Sequence, residues 1–316
     1  MPILSSKYSA PFYLFNGHLQ TIVPALFYSE KKHLYERERI DTKDGDFLDI
    51  DWIRKGNKRL ALLSHGLEGS SLAPYMYDMA ECLSASNWDT LCWNYRSCSG
   101  VPNRKPQFYH SGFTLDLDDV LQYAAKTKVY DSILLIGFSV GGNITLKYLG
   151  EQSDKLLPLV KKAVVFSAPC DLASCATQLA KFTSKIYMKR FLASFKNKFI
   201  EKDKLFPGYL DMSQFDKINN FFQFDSIYTS PMFGFKNVHD YYAKASSKPL
   251  IPDIKIPTLM VSAINDPFLG ADCFPYDVAK QNPFVYLETP KTGGHVGFPT
   301  FHRGYWPAKR VMEFWG

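Results

Sequence analysis

The sequence predicts an α/β protein: a mainly parallel central sheet covered by helices on both faces, with one helical insertion. Three observations carry that reading. Short apolar runs of strand length alternate with segments of helical pattern through most of the 316 residues, the rhythm of βαβ units. One such strand runs straight into Gly137-Phe138-Ser139-Val140-Gly141 and then a helical pattern from Gly142 to Leu149, the strand–turn–helix context of a nucleophile elbow. From Cys170 to about Pro249 the rhythm stops, and the apolar strand Thr258–Ala263 restarts it. The expected division is a core of residues 1-169 and 250-316, with an N-terminal arm at 1-34, and a helical lid at 170-249 ahead of the strand that leads to a candidate acid.

Composition narrows the class. With 46% hydrophobic, 22% charged and 16% aromatic residues, the chain can bury a large core and is not disordered. A formal charge of +6 is modest for this length and implies no nucleic-acid partner. No apolar run reaches the ~18 residues that a membrane span needs. Residues 1–10 lack the basic start and apolar core of a signal peptide, so a cytoplasmic chain without a membrane anchor is expected. Cys82, Cys92, Cys98, Cys170, Cys175 and Cys273 show no CxxC pair and no metal-ligand spacing; free thiols and no bound metal are expected.

Taken in order, the first thirty residues are rich in aromatics and prolines without clear periodicity and read as an ordered arm containing Asn16-Gly-His-Leu-Gln-Thr21, in which His18 is expected to be structural. Tyr35–Asp41 and Phe47–Ile53 flank the turn signal Lys43-Asp44-Gly45 and predict a β-hairpin. Leu60–Ser64 is a strand leading into His65-Gly-Leu-Glu-Gly-Ser70; Pro74 to about Ser86 is a helix and Thr90–Trp93 a strand. After the polar loop 94–112, Asp116–Ala125 is a helix with acidic residues near its start, where the helix dipole favours them. Ile133–Ile136 is the strand before the elbow, and Ala163–Phe166 the one after its helix. Within the insertion, Lys181–Phe191 and Asn219–Phe224 have helical character. Phe284–Leu287 is the last strand, and the chain closes with a helix near Trp306–Trp315.

The chemistry follows from what an elbow serine needs. Glycines two residues before and after Ser139 permit the tight turn, which lifts the hydroxyl above the sheet edge. The Val140 N–H then sits at a helix N-terminus, where it can hold developing negative charge. A second such donor commonly comes from a glycine-containing loop after an early strand, and Leu67 N–H in the His65–Ser70 loop is the candidate, His65 serving to orient the loop. The serine also needs a base held by a third group. Asp266 follows one strand and His295 the next, in the order serine, acid, histidine; Asp272, Asp277 and His302 compete but lie farther from their strands. Phe138, Phe268 and Phe298, close to these residues in sequence, are candidate substrate contacts.

These residues carry a resemblance. The motifs Asn16–Thr21, His65–Ser70, Asn94-Tyr-Arg-Ser-Cys-Ser-Gly100, Phe108-Tyr-His-Ser-Gly112, Gly137-Phe-Ser-Val-Gly-Gly-Asn143, Asn265-Asp-Pro267 and Gly293-Gly-His295 make the chain resemble an α/β-hydrolase. Within that superfamily it looks like the YheT-type esterases, relatives of yeast medium-chain ethyl ester synthase/esterases and animal abhydrolase-domain lipases. The resemblance implies hydrolysis of short- to medium-chain acyl esters through an acyl-enzyme, with Ser139 as nucleophile, Asp266 as acid, His295 as base and no cofactor. Acyl transfer to an alcohol would use the same residues, and a non-catalytic binding protein on this fold would usually lack one of them. One departure is Ser97, where the family usually has glycine.

The insertion is strongly basic. Between Lys181 and Lys204 stand eight basic residues against Glu201 and Asp203. Phe182, Ile186, Phe191, Phe195 and Phe199 recur near helical spacing. Either the aromatics pack on the body under a solvated basic face, or they line an acyl channel while the basic face makes peripheral contact with an anionic membrane.

Overall fold

The computed structural model describes residues 3–27, 35–301 and 304–316. Its strands are β1 (Ile3–Leu4), β2 (Glu36–Asp41), β3 (Phe47–Ile53), β4 (Arg59–Ser64), β5 (Asp89–Trp93), β6 (Ser132–Phe138), β7 (Val160–Phe166), β8 (Thr258–Val261) and β9 (Val285–Glu288). They form one nine-stranded sheet in the order β1-β9-β8-β7-β6-β4-β5-β3-β2. Among the described residues, only the β2–β3 and β3–β5 pairings are antiparallel. The register aligns the strand ends: Ser64 lies opposite Gly137, Phe138 opposite Phe166, Phe166 opposite Val261, and Val261 opposite Glu288. The loops after β4, β6, β8 and β9 therefore leave the sheet along one edge, where ligands bind in open parallel sheets.

Side-chain alternation assigns the two faces. Leu60, Leu62, Ile133, Leu135, Ala163 and Val165 point to one side, with α3 (Leu115–Thr127), α4 (Val140–Gln152) and α10 (Tyr276–Gln281) packed on them. Ala61, Leu63, Leu134, Ile136, Val164 and Phe166 point to the other, under α2 (Pro74–Ala85) and α11 (Trp306–Trp315). A parallel strand buried on both faces needs apolar residues at every position, which is why these runs are continuous in the sequence. The arm, expected to be ordered but without clear periodicity, contributes the edge strand β1, paired parallel with β9, and the helix α1 (Gly17–Phe27).

Between β7 and β8 lie α5 (Leu172–Leu179), the long α6 (Lys185–Leu205), α7 (Phe221–Phe224), α8 (Ser230–Met232) and α9 (Val238–Ala245). Residues 182–184, expected to belong to one helix with Lys185–Phe191, form a separate 3₁₀ turn, and α6 continues well past Phe191. The short α7, capped by the Asn220 side chain, runs on into a π-helical turn over Asp225–Thr229. Phe195, Phe199, Phe215, Phe224 and Tyr228 join Phe108 of the body in a separate aromatic core. The basic residues of α6 do not share one solvated face. Lys202 is fully buried, donating to Asn103 Oδ1 at 2.6 Å and to the carbonyls of Asn103 and Lys105, and Lys198 pairs with Glu68. Burial lowers the Lys202 pKa to about 8. At the other end, Phe182 and Ile186 are 80% and 63% exposed.

Candidate active site

Ser139 sits between β6 and α4 with φ 52° and ψ −121°, a left-handed geometry that a non-glycine residue adopts only where its surroundings impose it. The imposition is visible at Gly141, where a Cβ would lie 2.3 Å from the Ser64 carbonyl oxygen. The elbow can press against the end of β4 only because that position has no side chain. Ser139 N–H still donates to the Phe166 carbonyl at 2.8 Å, so the turn begins from a fully bonded strand.

The loops after β8 and β9 deliver the next two groups. His295 Nε2 lies 2.8 Å from Ser139 Oγ, and its Nδ1 lies 2.9 and 3.1 Å from Oδ2 and Oδ1 of Asp266. A carboxylate only accepts, so Nδ1 carries the proton on that side and the Nε2 lone pair faces the serine hydroxyl. Asp266 is itself held, accepting the Phe268 N–H at 2.8 Å. The Phe268 ring stacks on the imidazole at 4.0 Å between centroids. Asp266 and His295 are both buried. Asp272 and Asp277 make other contacts, with Lys248 and Lys280, and His302 falls outside the described residues.

The loop after β4 is built to leave one donor open. Gly66 N–H donates to Tyr75 Oη at 2.9 Å, Glu68 N–H to Tyr109 Oη at 3.0 Å, and Gly69 N–H to the Gly66 carbonyl. Leu67 N–H, between them, has no acceptor among the described residues. Val140 N–H belongs to the first turn of α4, whose amides have no partner within the helix. His65 braces the loop: Nδ1 donates to the Gly66 carbonyl at 2.7 Å and Nε2 accepts the Tyr95 N–H at 3.1 Å. Burial drops its pKa to about 3, so the ring stays neutral. Glu68, at φ 55°, accepts from Tyr109 at 2.9 Å and from Ser194 at 2.6 Å and Lys198 at 2.9 Å on α6.

A cavity of about 530 Å³ opens over Ser139 and His295, walled by α1, the Gly66–Gly69 backbone, Tyr75, Phe268 and the α6 residues Ile186, Tyr187, Arg190 and Phe191. A smaller pocket of about 60 Å³ adjoins the same two residues, lined by Val140, Leu172, Leu179, Phe221 and Tyr241 among others. Phe268 lines both. Phe138 and Phe298 line neither, contrary to expectation. Phe138 is the last residue of β6 and its side chain points down into the core onto Phe166. Phe298 is 1% exposed beneath the loop, against Tyr8 and Trp306. Proximity in sequence does not say which way a side chain faces at a sheet edge.

Two further features bear on the site. Ser97 keeps a left-handed φ of 61°, the conformation glycine would adopt freely, and its hydroxyl donates to Asn103 Oδ1 at 2.6 Å; the departure from glycine leaves the turn in place. Of the Asn16–Thr21 stretch, Gly17–Thr21 lie on α1, against the loops that carry Asp266 and His295. Its His18 bonds Tyr187 of α6 at 3.0 Å and does not line either cavity. The spacing of that motif carries no period that would have announced its position; only its density of polar side chains beside a glycine sets it apart.

The model of the alpha/beta hydrolase fold family matches residues 62–301. YheT of Escherichia coli K12 is 31% identical over 308 residues, covering 95% of this chain and 90% of that protein. Human phospholipase ABHD3 is 28% identical over 316 residues, covering 97% of this chain and 76% of its own length. A monoacylglycerol lipase of Saccharomyces cerevisiae is 31% identical over 267 residues, covering 81% and 59%. Among solved structures, the Pyrococcus furiosus esterase Pf2001 superposes with a TM-score of 0.59 at 20% identity, covering 89% of this chain and 88% of that one. With the family model spanning every loop of the site and YheT aligned along nearly the whole length, the chain belongs to the α/β-hydrolase fold family, in the branch of YheT.

Proposed function

We propose that the protein is a serine carboxylester hydrolase that works through an acyl-enzyme. The observation that carries the reading is the continuous contact Ser139 Oγ–His295 Nε2–Asp266, at 2.8 and 2.9 Å, facing a cavity large enough for a small ester. The Ser139 hydroxyl proton passes to His295 Nε2 as Oγ bonds the ester carbonyl carbon. Leu67 and Val140 N–H groups hold the oxyanion, and Asp266 stabilises the imidazolium. His295 returns the proton to the leaving alcohol as its C–O bond breaks. Water, deprotonated by the same nitrogen, then attacks the acyl-enzyme and releases the acid with Ser139 restored. The esterases and lipases among the relatives support the reaction class.

The insertion at 170-249 acts as a lid in this reading, since α6 forms one wall of the cavity. The cavity's size and its apolar wall from Ile22 and Ile186 to Phe268 favour medium acyl chains over acetyl. The test is a panel of nitrophenyl esters of graded length, with Ser139→Ala as control. Activity that peaks at medium length and vanishes in Ser139→Ala supports the reading, and activity retained in Ser139→Ala ends it.

One surface favours a second element of function, peripheral contact with anionic lipid. Phe182, Ile186 and Leu26 are exposed, and Ile186 and Leu26 also line the cavity. Lys185, Lys189 and Arg190 beside them have no acidic partner among the described residues. Apolar side chains among unneutralised cations suit a negatively charged lipid interface.

A further inference from the structure

Two consecutive side chains of α1 reach the loops on which Asp266 and His295 stand. Gln20 is 1% exposed. Its Oε1 accepts the Asn265 Nδ2–H at 2.9 Å and the Gly293 N–H at 2.7 Å, while its Nε2 donates to the Leu14 carbonyl at 2.5 Å. One amide oxygen thus joins the residue before the acid to the residue two before the base. Thr21 Oγ1 accepts the His295 N–H at 2.9 Å and donates to the Gly17 carbonyl at 2.6 Å. Asn265 completes the set, its Oδ1 accepting the Gly294 N–H at 3.2 Å.

The approach is backbone to backbone. A Cβ on Gly17 would stand 1.9 Å from the Asn265 carbonyl oxygen, and one on Gly297 would stand 2.1 Å from that of Gln20. Pro24, four residues on, has no N–H to give the Gln20 carbonyl, so that face of the helix is open to the loop. The two catalytic loops leave different strands. Among the described residues, the hydrogen bonds that join them are those between Asp266 and His295, the Asn265–Gly294 bond and, nearer the strand ends, Ile264 N–H to the Pro290 carbonyl, and a Gly-Gly pair precedes His295. Apart from α1, the loop is tied just past His295 by Val296 N–H to Ser167 Oγ at 3.0 Å, while the Gly-Gly pair before His295 is conformationally free.

We infer that Gln20 and Thr21 are positioning residues for the His295–Asp266 pair, so that α1 sets the register between acid and base. The inference rests on the serine-hydrolase reading. General-base catalysis tolerates little misplacement: an error of about 1 Å in a catalytic group costs on the order of a hundredfold. Thr21 fixes the His295 backbone, Gln20 fixes the height of both loops, and Asp266 then needs only to orient a ring already in place.

The test uses Thr21→Val, Thr21→Ser and Gln20→Leu in the full chain. Each is titrated with an organophosphonate ester that labels the elbow serine, given time to label every folded site, so that rates are counted per competent molecule. Thr21→Val and Gln20→Leu are expected to lose about tenfold to a hundredfold in kcat per site, with KM within about threefold. Thr21→Ser keeps the hydroxyl and should stay within about twofold of the parent. Thr21→Val is nearly isosteric and keeps the test readable if Gln20→Leu folds poorly. If Thr21→Val lowers only the fraction of sites labelled and leaves kcat per site within about twofold, α1 is packing alone and the inference is overturned. Failure of the serine reading itself would show separately, as activity surviving in Ser139→Ala.

Discussion

Lys198 of α6 and Glu68 of the loop after β4 meet at 2.9 Å, joining the insertion to the residue next to Leu67. The Glu68 carboxylate is almost fully buried, so removing its cation leaves a charge without compensation, a change that typically costs about 3–5 kcal/mol. Lys198→Met is expected to lower stability to urea by a few kcal/mol and to lower kcat, because the backbone that presents Leu67 N–H loses its brace. Restoring neutrality with Glu68→Gln in the same molecule should recover much of the stability. Equilibrium unfolding and kcat on the single and double variants check this; strict additivity would show that the two residues do not act as a pair.

The proposed mechanism has Ser139, His295 and Asp266 acting as a unit, so their losses should not add. Ser139→Ala and His295→Ala are each expected to lose about 10⁴-fold or more in kcat, and the double variant little beyond that. Steady-state rates on one ester suffice, and a double variant far slower than either single one would argue against a shared step.

Stability should fall in acid for a reason visible at His110. Its ring is boxed by Phe113, Phe233, Phe235 and Tyr241, and burial, with Lys147 adding to it, holds its pKa down at about 3. Unfolded, the ring takes a proton near pH ~6.5. Its contribution is therefore fully present above ~6.5 and is lost as pH falls toward about 3, at up to about 1.4 kcal/mol per pH unit. His65, lowered to about 3 by burial, behaves alike. His110→Gln should flatten the decline of stability between roughly pH 6.5 and pH 4 by one proton's worth, read from urea midpoints at each pH. An unchanged slope would mean that His110 is protonated in the folded state.

The elbow's steric limit can be graded. A Cβ at Gly141 meets the Ser64 and His65 carbonyl oxygens at 2.3 and 2.6 Å, whereas one at Gly142 meets first the Ala168 methyl at 2.9 Å. Gly141→Ala should cost more than the ~1–3 kcal/mol usual for overpacking and abolish activity, with Gly142→Ala milder on both counts. Thermal unfolding and esterase rates would expose the reverse order if the end of β4 yields more readily than the contact of α4 with Ala168.

Peripheral lipid contact predicts cosedimentation with vesicles containing phosphatidylserine but not with phosphatidylcholine alone, weakening as salt rises. Phe182→Asp with Lys185→Glu and Lys189→Glu should remove it while nitrophenyl ester hydrolysis continues. Equal sedimentation with both vesicle types, or none, would eliminate the lipid contact.

Much of the fold is written in local sequence. The strand before Ser139 and the closing helix Trp306–Trp315 are legible because buried strands and amphipathic helices impose their own periods. Asp266 and His295 are legible from order along the chain, since each needs only to come directly after its strand. What local pattern does not show is what waits across space. Lys198 and Lys202 look like surface lysines until Glu68 and the Asn103 carbonyl are brought to them. Phe138 and Phe298 look like site residues until the fold turns them inward. The place of α1 is a matter of contacts more than two hundred residues apart in sequence, and Pro24 inside it disguises the helix itself.

The contacts of Gln20 and Thr21 also order events in time. The acid and base loops take their places against a helix made near the beginning of the chain, so no fragment that stops short of Gly293 can assemble the constellation, however well its sheet has formed. Closing so long a loop is slow relative to forming local structure. A nascent or partly refolded molecule would therefore carry the elbow serine well before it carries the His295–Asp266 pair in place. Recovery of activity on refolding should lag behind recovery of secondary structure, and the lag would be a property of the wiring of the site and not of its chemistry.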